Sequence, residues 1–288
     1  MQFSVVIPTC NRPALLAACL DSFLEVDYPR MAWELIVVND GGDLSLTAVT
    51  ARHRAQLPLH LVDSDGHGPA SARNKGAALA NGRFLAFTDD DCRVSPDWLR
   101  VWEAGFAQTG CPALGGQTRN PYAANRGAAV SQWLADFLAD YMRDAKGNQL
   151  LLLSNNAAYD RQLFEQLGGF DESFPLAAAE DWEFSQRVVA AGACQRLWPD
   201  AVVWHHHRMS WRRHVAQQFR YGRGGHYFER ALSRCGGGVQ PVVAAQSFYR
   251  TLVKRLWQEK RPFADWLLLG TGQVAYQLGR HYERRRAQ

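Results

Sequence analysis

The stretch Arg83-Phe84-Leu85-Ala86-Phe87-Thr88-Asp89-Asp90-Asp91-Cys92 joins a short apolar run to three consecutive carboxylates. The run has the length of a buried strand. Three adjacent carboxylates repel one another unless a positive charge sits among them. At the end of a strand they are placed to hold a hard divalent cation, whose other ligands are commonly phosphate oxygens. The expectation is a metal–diphosphate site at the carboxyl edge of a sheet. The alternative is a solvated acidic turn ahead of a helix that starts near Pro96.

Upstream, Phe3-Ser4-Val5-Val6-Ile7-Pro8 reads as a strand. Asn11 is a natural N-cap for the helix that follows, and Pro13 suits its first turn. Residues 33–38 form the next apolar strand, ending in Asn39-Asp40-Gly41-Gly42. A helix over 44–55, a strand over 57–62 and an Ala-rich helix opened by Gly68-Pro69 lead to the strand before Asp89. Near-continuous apolar strands alternating with helices predict an α/β fold with a mostly parallel sheet covered on both faces. Ligands bind such sheets outside the carboxyl ends of the strands. Thr9, Asn11, Arg12, Asp40, Asp63 and Asp89 all follow strands. The chain has neither Gly-x-Gly-x-x-Gly nor a P-loop, which argues against dinucleotide binding and P-loop chemistry.

Downstream, the pattern predicts a helix from Pro96 to Gln108 and a strand around 113–117. A helix over 128–143 and a short strand over 154–159 follow, then a short helix stopped by Gly168-Gly169. Glu180-Asp181 open a helix that runs to Ala190, and an apolar strand ends at His205-His206-His207.

The chain has 288 residues and carries its charge unevenly. Residues 1–204 hold 16 Lys and Arg against 24 Asp and Glu; residues 205–288 hold 16 against 4. Such a split predicts two physical roles. The six cysteines (10, 19, 92, 111, 194, 235) are scattered, which suggests a reducing compartment with neither a zinc site nor a disulfide framework. The first residues lack the basic and apolar regions of a signal peptide, so a cytoplasmic protein is expected.

These motifs, in this order, resemble a family 2 glycosyltransferase of the GT-A fold. The resemblance rests on Val5-Val6-Ile7-Pro8-Thr9-Cys10-Asn11-Arg12, Val38-Asn39-Asp40-Gly41-Gly42, Ala72-Arg73-Asn74-Lys75-Gly76, the Asp-x-Asp within Asp89-Asp90-Asp91, Gly168-Gly169-Phe170-Asp171-Glu172, and Glu180-Asp181. It covers residues 2 to 208 and implies inverting, metal-dependent transfer of a sugar from a nucleotide-sugar donor, a UDP-sugar first, to a glycan or lipid-linked acceptor. A glycosyltransferase domain over 1–208 is implied, with a donor half over about 1–95 and an acceptor half over about 96–208. Two positions depart from the family pattern: Asn39 where a second acid is common, and Trp182-Glu183-Phe184 after Glu180-Asp181.

The resemblance also implies roles. Pro8, Thr9, Asn11 and Arg12 would line base and ribose, and Asp40 would accept from an imide N–H of the base. Arg73 and Lys75, at a helix N-terminus, suit the diphosphate. Asp89 and Asp90 would meet the donor, and Asp91, Asp89 and His205 would hold Mg²⁺ or Mn²⁺, with His206 and His207 as alternatives to His205. Asp181 would be the base and Glu180 its supporting neighbour. Asp-Gly turn geometry, solvated helix faces and helix-dipole stabilisation are the structural alternatives for Asp40, for Arg73 and Lys75, and for Glu180-Asp181. A nucleotidyltransferase and a non-catalytic nucleotide-sugar-binding protein on the same scaffold are the competing functions.

Residues 209–288 are expected to form a basic, aromatic helical extension. Trp211, Phe219, Tyr221, Tyr227 and Phe228 recur at spacings compatible with one helix side. Gln217-x-x-Arg220-Tyr221 resembles the Gln-x-x-Arg-Trp motif of processive polysaccharide synthases, with Tyr for Trp. The run over 263–279 falls short of the roughly 20 apolar residues of a span. Basic faces beside Trp, Phe and Leu suit peripheral docking on an anionic inner leaflet. Packing on the catalytic domain or pairing in a homodimer is the alternative, with the positive charge answering the acidic block. Nucleic acid is not expected, since no binding motif is present.

Overall fold

The computed structural model describes residues 1–42, 44–144, 147–234 and 246–286; Cys235 lies outside them. Strands β1 (Phe3–Thr9), β2 (Trp33–Asp40), β3 (Leu59–Ser64) and β4 (Phe84–Thr88) alternate with helices α1 (Pro13–Phe23), α2 (Thr47–Arg54) and α3 (Pro69–Ala78). Next come β5 (Cys92–Val94), α4 (Trp98–Thr109), β6 (Ala113–Arg119), α5 (Arg126–Tyr141), β7 (Asn156–Asp160), α6 (Arg161–Gln166), α7 (Glu180–Ala190) and β8 (Gln195–His205). The chain then turns helical, in α8 (Trp211–Arg234), α9 (Gln246–Gln258) and α10 (Phe263–Arg286). This is the expected α/β, GT-A-like architecture with a basic helical extension.

One eight-stranded sheet has the order β3-β2-β1-β4-β7-β6-β8-β5. β1 pairs in parallel with β2 and β4, β2 with β3, and β6 with β8. β7 runs antiparallel to both β4 and β6, and β5 antiparallel to β8. Side chains of β1 alternate between two cores, as a strand's period of two requires. Val5 and Ile7 face α1, α2 and α4, in a cluster with Leu16, Leu20, Trp98 and Trp102. Val6 faces α3, α6 and α7, with Ala72, Phe164 and Phe184.

Three sequence expectations are corrected. Asn11 does not cap α1: it takes a left-handed φ of 55°, and its Oδ1 accepts from the Leu44 amide at 3.0 Å. The loop after β2 claims its side chain instead. Cys111 and Cys194, 83 residues apart, form a disulfide with Cα atoms 5.2 Å apart. The β6–β8 pairing, which sets Ala113 opposite Gln195, creates that neighbourhood, and no local spacing announces it. The aromatic residues of α8 do not share a face: Phe228 is buried under Trp182, whereas Trp211 and Tyr221 are exposed.

The extension packs on the sheet domain. α9 and α10 bury Phe248, Leu252, Leu268 and Leu269 against Trp133, Leu134 and Phe137 of α5. α8 and α10 run side by side in one direction, with Gly222 against the Tyr276 carbonyl and Gly279 against the Phe219 carbonyl. A side-chain carbon at either glycine would meet backbone, so only glycine allows this approach.

Candidate active site

The carboxyl ends of β1, β2 and β4 meet along one edge of the sheet, and the three consecutive aspartates diverge there. Asp89 receives Arg73 at 2.7 Å and opens onto a cleft. Asp90 turns inward and is fully buried, accepting from the Thr9 hydroxyl at 2.6 Å beside the Arg12 guanidinium at 2.9 Å. Asp91 sits between Arg12, at 3.0 Å, and His205 Nε2, at 3.3 Å. Each carboxylate thus has a cationic neighbour, with Arg12 shared by Asp90 and Asp91, which offsets the repulsion that the sequence poses. Burial still pushes Asp90 up to about 7, against the pull of Arg12 and Thr9. Burial acts the same way on Asp91, but His205 and Arg12 outweigh it and hold that carboxyl down at about 2.

β5 makes this arrangement. It sets Cys92 opposite His205 in the sheet, and the His206 amide donates to the Asp91 carbonyl at 2.8 Å. Of the three histidines, His205 therefore faces Asp91, whereas His206 accepts or donates at Tyr122, 3.2 Å away. The Asp91 carboxylate, the Cys92 thiol and the His205 imidazole offer ligand atoms within 4.8 Å of one another. Burial, with Asp89 and Asp91, pushes the Cys92 thiol up, so it stays protonated and a poor ligand. An oxygen–nitrogen donor pair remains, and it fits a divalent cation such as Mn²⁺.

On the facing side, α7 begins with Glu180 and Asp181 at the floor of a cleft of roughly 510 Å³. Asp181 accepts from the Ser154 amide and hydroxyl, at 3.0 and 3.2 Å, and from the Trp182 amide at 2.9 Å. Burial raises its pKa despite those donors and Arg73. Glu180 accepts from Arg73 at 3.0 Å; burial and the adjacent Asp181 push it up to about 7. A second tie holds the two halves of the site. Asn74 of α3 donates to the Phe170 carbonyl and to Glu172, each at 2.8 Å, and accepts from the Phe170 amide at 2.9 Å.

Asp89, Arg73, Glu180, Asp181 and His205 line one cleft. Asp40 accepts from Ser64 at 2.8 Å, and Asn39 donates to Asp63 at 2.9 Å, at the ends of β2 and β3. Pro8 is buried in β1, and Thr9 and Arg12 are engaged with the aspartates. Arg73 is buried and bridges Asp89 and Glu180, with its Nε left without a hydrogen-bond partner at the cleft. Lys75 is exposed on α3 and is not part of the cleft lining. Ser154, Gln217 and Tyr221 belong to the cleft wall and were not assigned roles from the sequence. The Gln-x-x-Arg-Tyr likeness was the signal for the latter two.

The model of the glycosyl transferase family 2 matches residues 4–168, more than half of the chain. The chain belongs to glycosyl transferase family 2. A second model, glycosyltransferase like family 2, matches residues 126–267. Among curated family 2 relatives, glycosyltransferase AglE of Haloferax volcanii is 25% identical over 226 residues, covering 77% of this chain and 72% of AglE. The probable glycosyltransferase YdaM of Bacillus subtilis is 27% identical over 240 residues, and the match spans 78% of this chain but 56% of YdaM. The fold matches mannosyltransferase PcManGT from Pyrobaculum calidifontis, solved with GDP-Man and Mn²⁺, at TM-score 0.74 and 19% identity, over 98% of this chain and 87% of that one. It also matches S. aureus TarS 1–349 solved with UDP-GlcNAc, at TM-score 0.59 and 16% identity, over 99% and 92% of the chains. At these identities the two structures show the shared fold.

Proposed function

We propose that this glycosyltransferase moves a sugar from a nucleoside-diphosphate sugar to a hydroxyl of a glycan or lipid-linked acceptor, with inversion at the anomeric carbon. One observation carries the reading: Asp89, His205 and Asp181 line one cleft, Asp91 stands against His205, and Arg73 joins Asp89 to Glu180 beside Asp181. The donor lies along the carboxyl edge, with the base toward Asp40 and the diphosphate toward Asp89 and Asp91. Asp91 and His205 would hold Mn²⁺ or Mg²⁺, which would supply positive charge for the leaving diphosphate. Structural neighbours bound to GDP-Man with Mn²⁺ and to UDP-GlcNAc support this choice of donor class.

Asp181 takes the proton of the acceptor hydroxyl as its oxygen bonds to the anomeric carbon. The bond from that carbon to the diphosphate oxygen breaks, and the electron pair leaves with the nucleotide. The raised pKa of Asp181 suits a base, since basicity grows with pKa. The Ser154 amide and hydroxyl and the Trp182 amide keep that carboxylate in place. A UDP-sugar is the first donor to test, because Asp40 can accept from the uracil imide.

The test is a thermal-shift screen of UDP, GDP and their sugars with Mn²⁺, followed by product analysis. The matching donor raises the melting temperature by mass action. Release of nucleoside diphosphate with a product of opposite anomeric configuration supports the reading. Formation of a nucleotide-sugar from sugar phosphate and nucleoside triphosphate would replace it with a nucleotidyltransferase. Binding without turnover toward any acceptor would leave a binding protein.

A further inference from the structure

The outer face of α8 and α10 carries an apolar stripe inside a field of unpaired arginines. Phe263, Leu267, Val274, Leu278 and Tyr282 follow one face of α10, each between 46% and 79% exposed. The stripe is about 30 Å long at 1.5 Å per residue. Trp211, Val215 and Phe219 of α8 lie beside Leu278 in an open groove of roughly 1080 Å³, and Phe219 touches the Tyr282 ring.

The charge around this stripe is not neutralised within the protein. All four acids of residues 205–288 are taken by arginines of the same segment: Glu229 by Arg280, Glu259 by Arg255, Asp265 by Arg261 and Glu283 by Arg223. Among the described lysines and arginines of this segment, only Arg255 pairs with an acid of the first block, Asp140 at 2.7 Å, besides His205 against Asp91 at 3.3 Å. Most of the positive charge therefore finds no ion pair in the acidic block. Arg212, Arg213, Arg220, Arg284, Arg285 and Arg286 are exposed and pair with no carboxylate among the described residues.

We propose that this face docks on an anionic phospholipid bilayer, with Phe263, Leu267, Val274, Leu278 and Tyr282 entering the headgroup layer and the free arginines meeting lipid phosphates. An apolar stripe rimmed by arginine is what an interfacial helix presents. Each arginine near an anionic surface adds attraction that salt screens. His207 and Gln217 line both the outer groove and the catalytic cleft, so docking brings the cleft mouth to the lipid surface. This goes beyond the transferase reading and does not depend on it, because the helices alone carry it.

The test floats the full-length protein with phosphatidylcholine vesicles, with and without phosphatidylglycerol. The expected result is binding to the mixed vesicles alone, weakened by salt. Two variants, Val274→Asp with Leu278→Asp, and Arg284→Glu with Arg285→Glu and Arg286→Glu, each lower the bound fraction about tenfold. Both sets change exposed side chains, and unchanged melting curves establish that the variants are folded. The charge variant tests the proposal even where the apolar one misfolds. Equal binding to neutral vesicles, no binding at low salt, or unchanged binding by folded variants would overturn the proposal. So would a wild-type dimer that ignores vesicles and dissociates in the Val274→Asp, Leu278→Asp variant, which would give the face to a second copy of the chain.

Discussion

Arg73 and Glu180, 107 residues apart in the chain, meet at 3.0 Å with side chains each only 5% exposed. The same guanidinium holds Asp89 at 2.7 Å, so one residue of α3 ties the donor-side acid to the start of α7. Removing one partner of a buried pair strands the other's charge. Arg73→Met is expected to lower stability by about 3–5 kcal/mol in urea melts. Pairing it with Glu180→Gln should recover part of that loss. A double variant no more stable than Arg73→Met would mean that Glu180 does not depend on the bridge.

Asp91→Ala should abolish metal-dependent transfer and keep the fold by circular dichroism, with a lower melting temperature because the contacts that hold this carboxyl down are lost. Among the described residues Asp91 pairs with only Arg12 and His205, so its loss frees no buried acid. Activity that persists in this variant with chelator present would remove the metal from the mechanism.

Asp181→Asn keeps the shape and most hydrogen bonds of the side chain and removes its basicity. Turnover should fall about 100-fold or more while donor and metal affinity stay the same. Single-turnover kinetics and a separate donor titration distinguish the two effects. An equal fall in donor affinity would make Asp181 a donor-side residue.

The three histidines should titrate apart in the metal-free protein. Burial disfavours the His205 imidazolium, but the Asp91 hydrogen bond and charge outweigh it and raise its pKa above 6.5. His206 and His207 are lowered, first by burial. The sign for stability follows from the raised value. The His205–Asp91 contribution is full below about 6.5, the unfolded pKa, and is lost as pH rises through the higher folded one. NMR titration should show one histidine above 6.5 that moves down in Asp91→Asn. A His205 that titrates below His206 would contradict the pairing.

Replacing both Cys111 and Cys194 with Ala should cost about 2–4 kcal/mol, since the link closes a long loop. Thiol counting on the unreduced, denatured protein should find two fewer thiols than after reduction.

The alternating half of the fold, from β1 to β4, was legible because its strands are apolar runs and two of its three helices, α1 and α3, begin at proline. Asp89 to Asp91 were legible as a site, but their division of labour was not. Asp90 faces inward because Thr9 and Arg12 of the first βα turn receive it, and that contact spans 81 residues. β5 was invisible: three residues carry no periodicity, and only pairing with β8 makes them a strand. That strand is what selects His205 over its neighbours. A cation at a helix N-terminus reads locally as an anion site. The protein partners of Arg73, Asp89 after β4 and Glu180 of α7, come from far along the chain, and no local signal announces them.

Gly222 and Gly279 bring backbone against backbone, and Arg223, Tyr227 and Glu283 tie the same helices together, so α8 and α10 have little room to slide past one another. Close-packed interiors of this kind transmit strain and do not dissipate it. The two helices behave mechanically as one beam, and α8 starts shortly after His205 leaves the sheet. A displacement at Leu278 should therefore move α8 together with α10, so the extension is expected to act as a stiff arm on the segment that follows His205 and not as a loose tether.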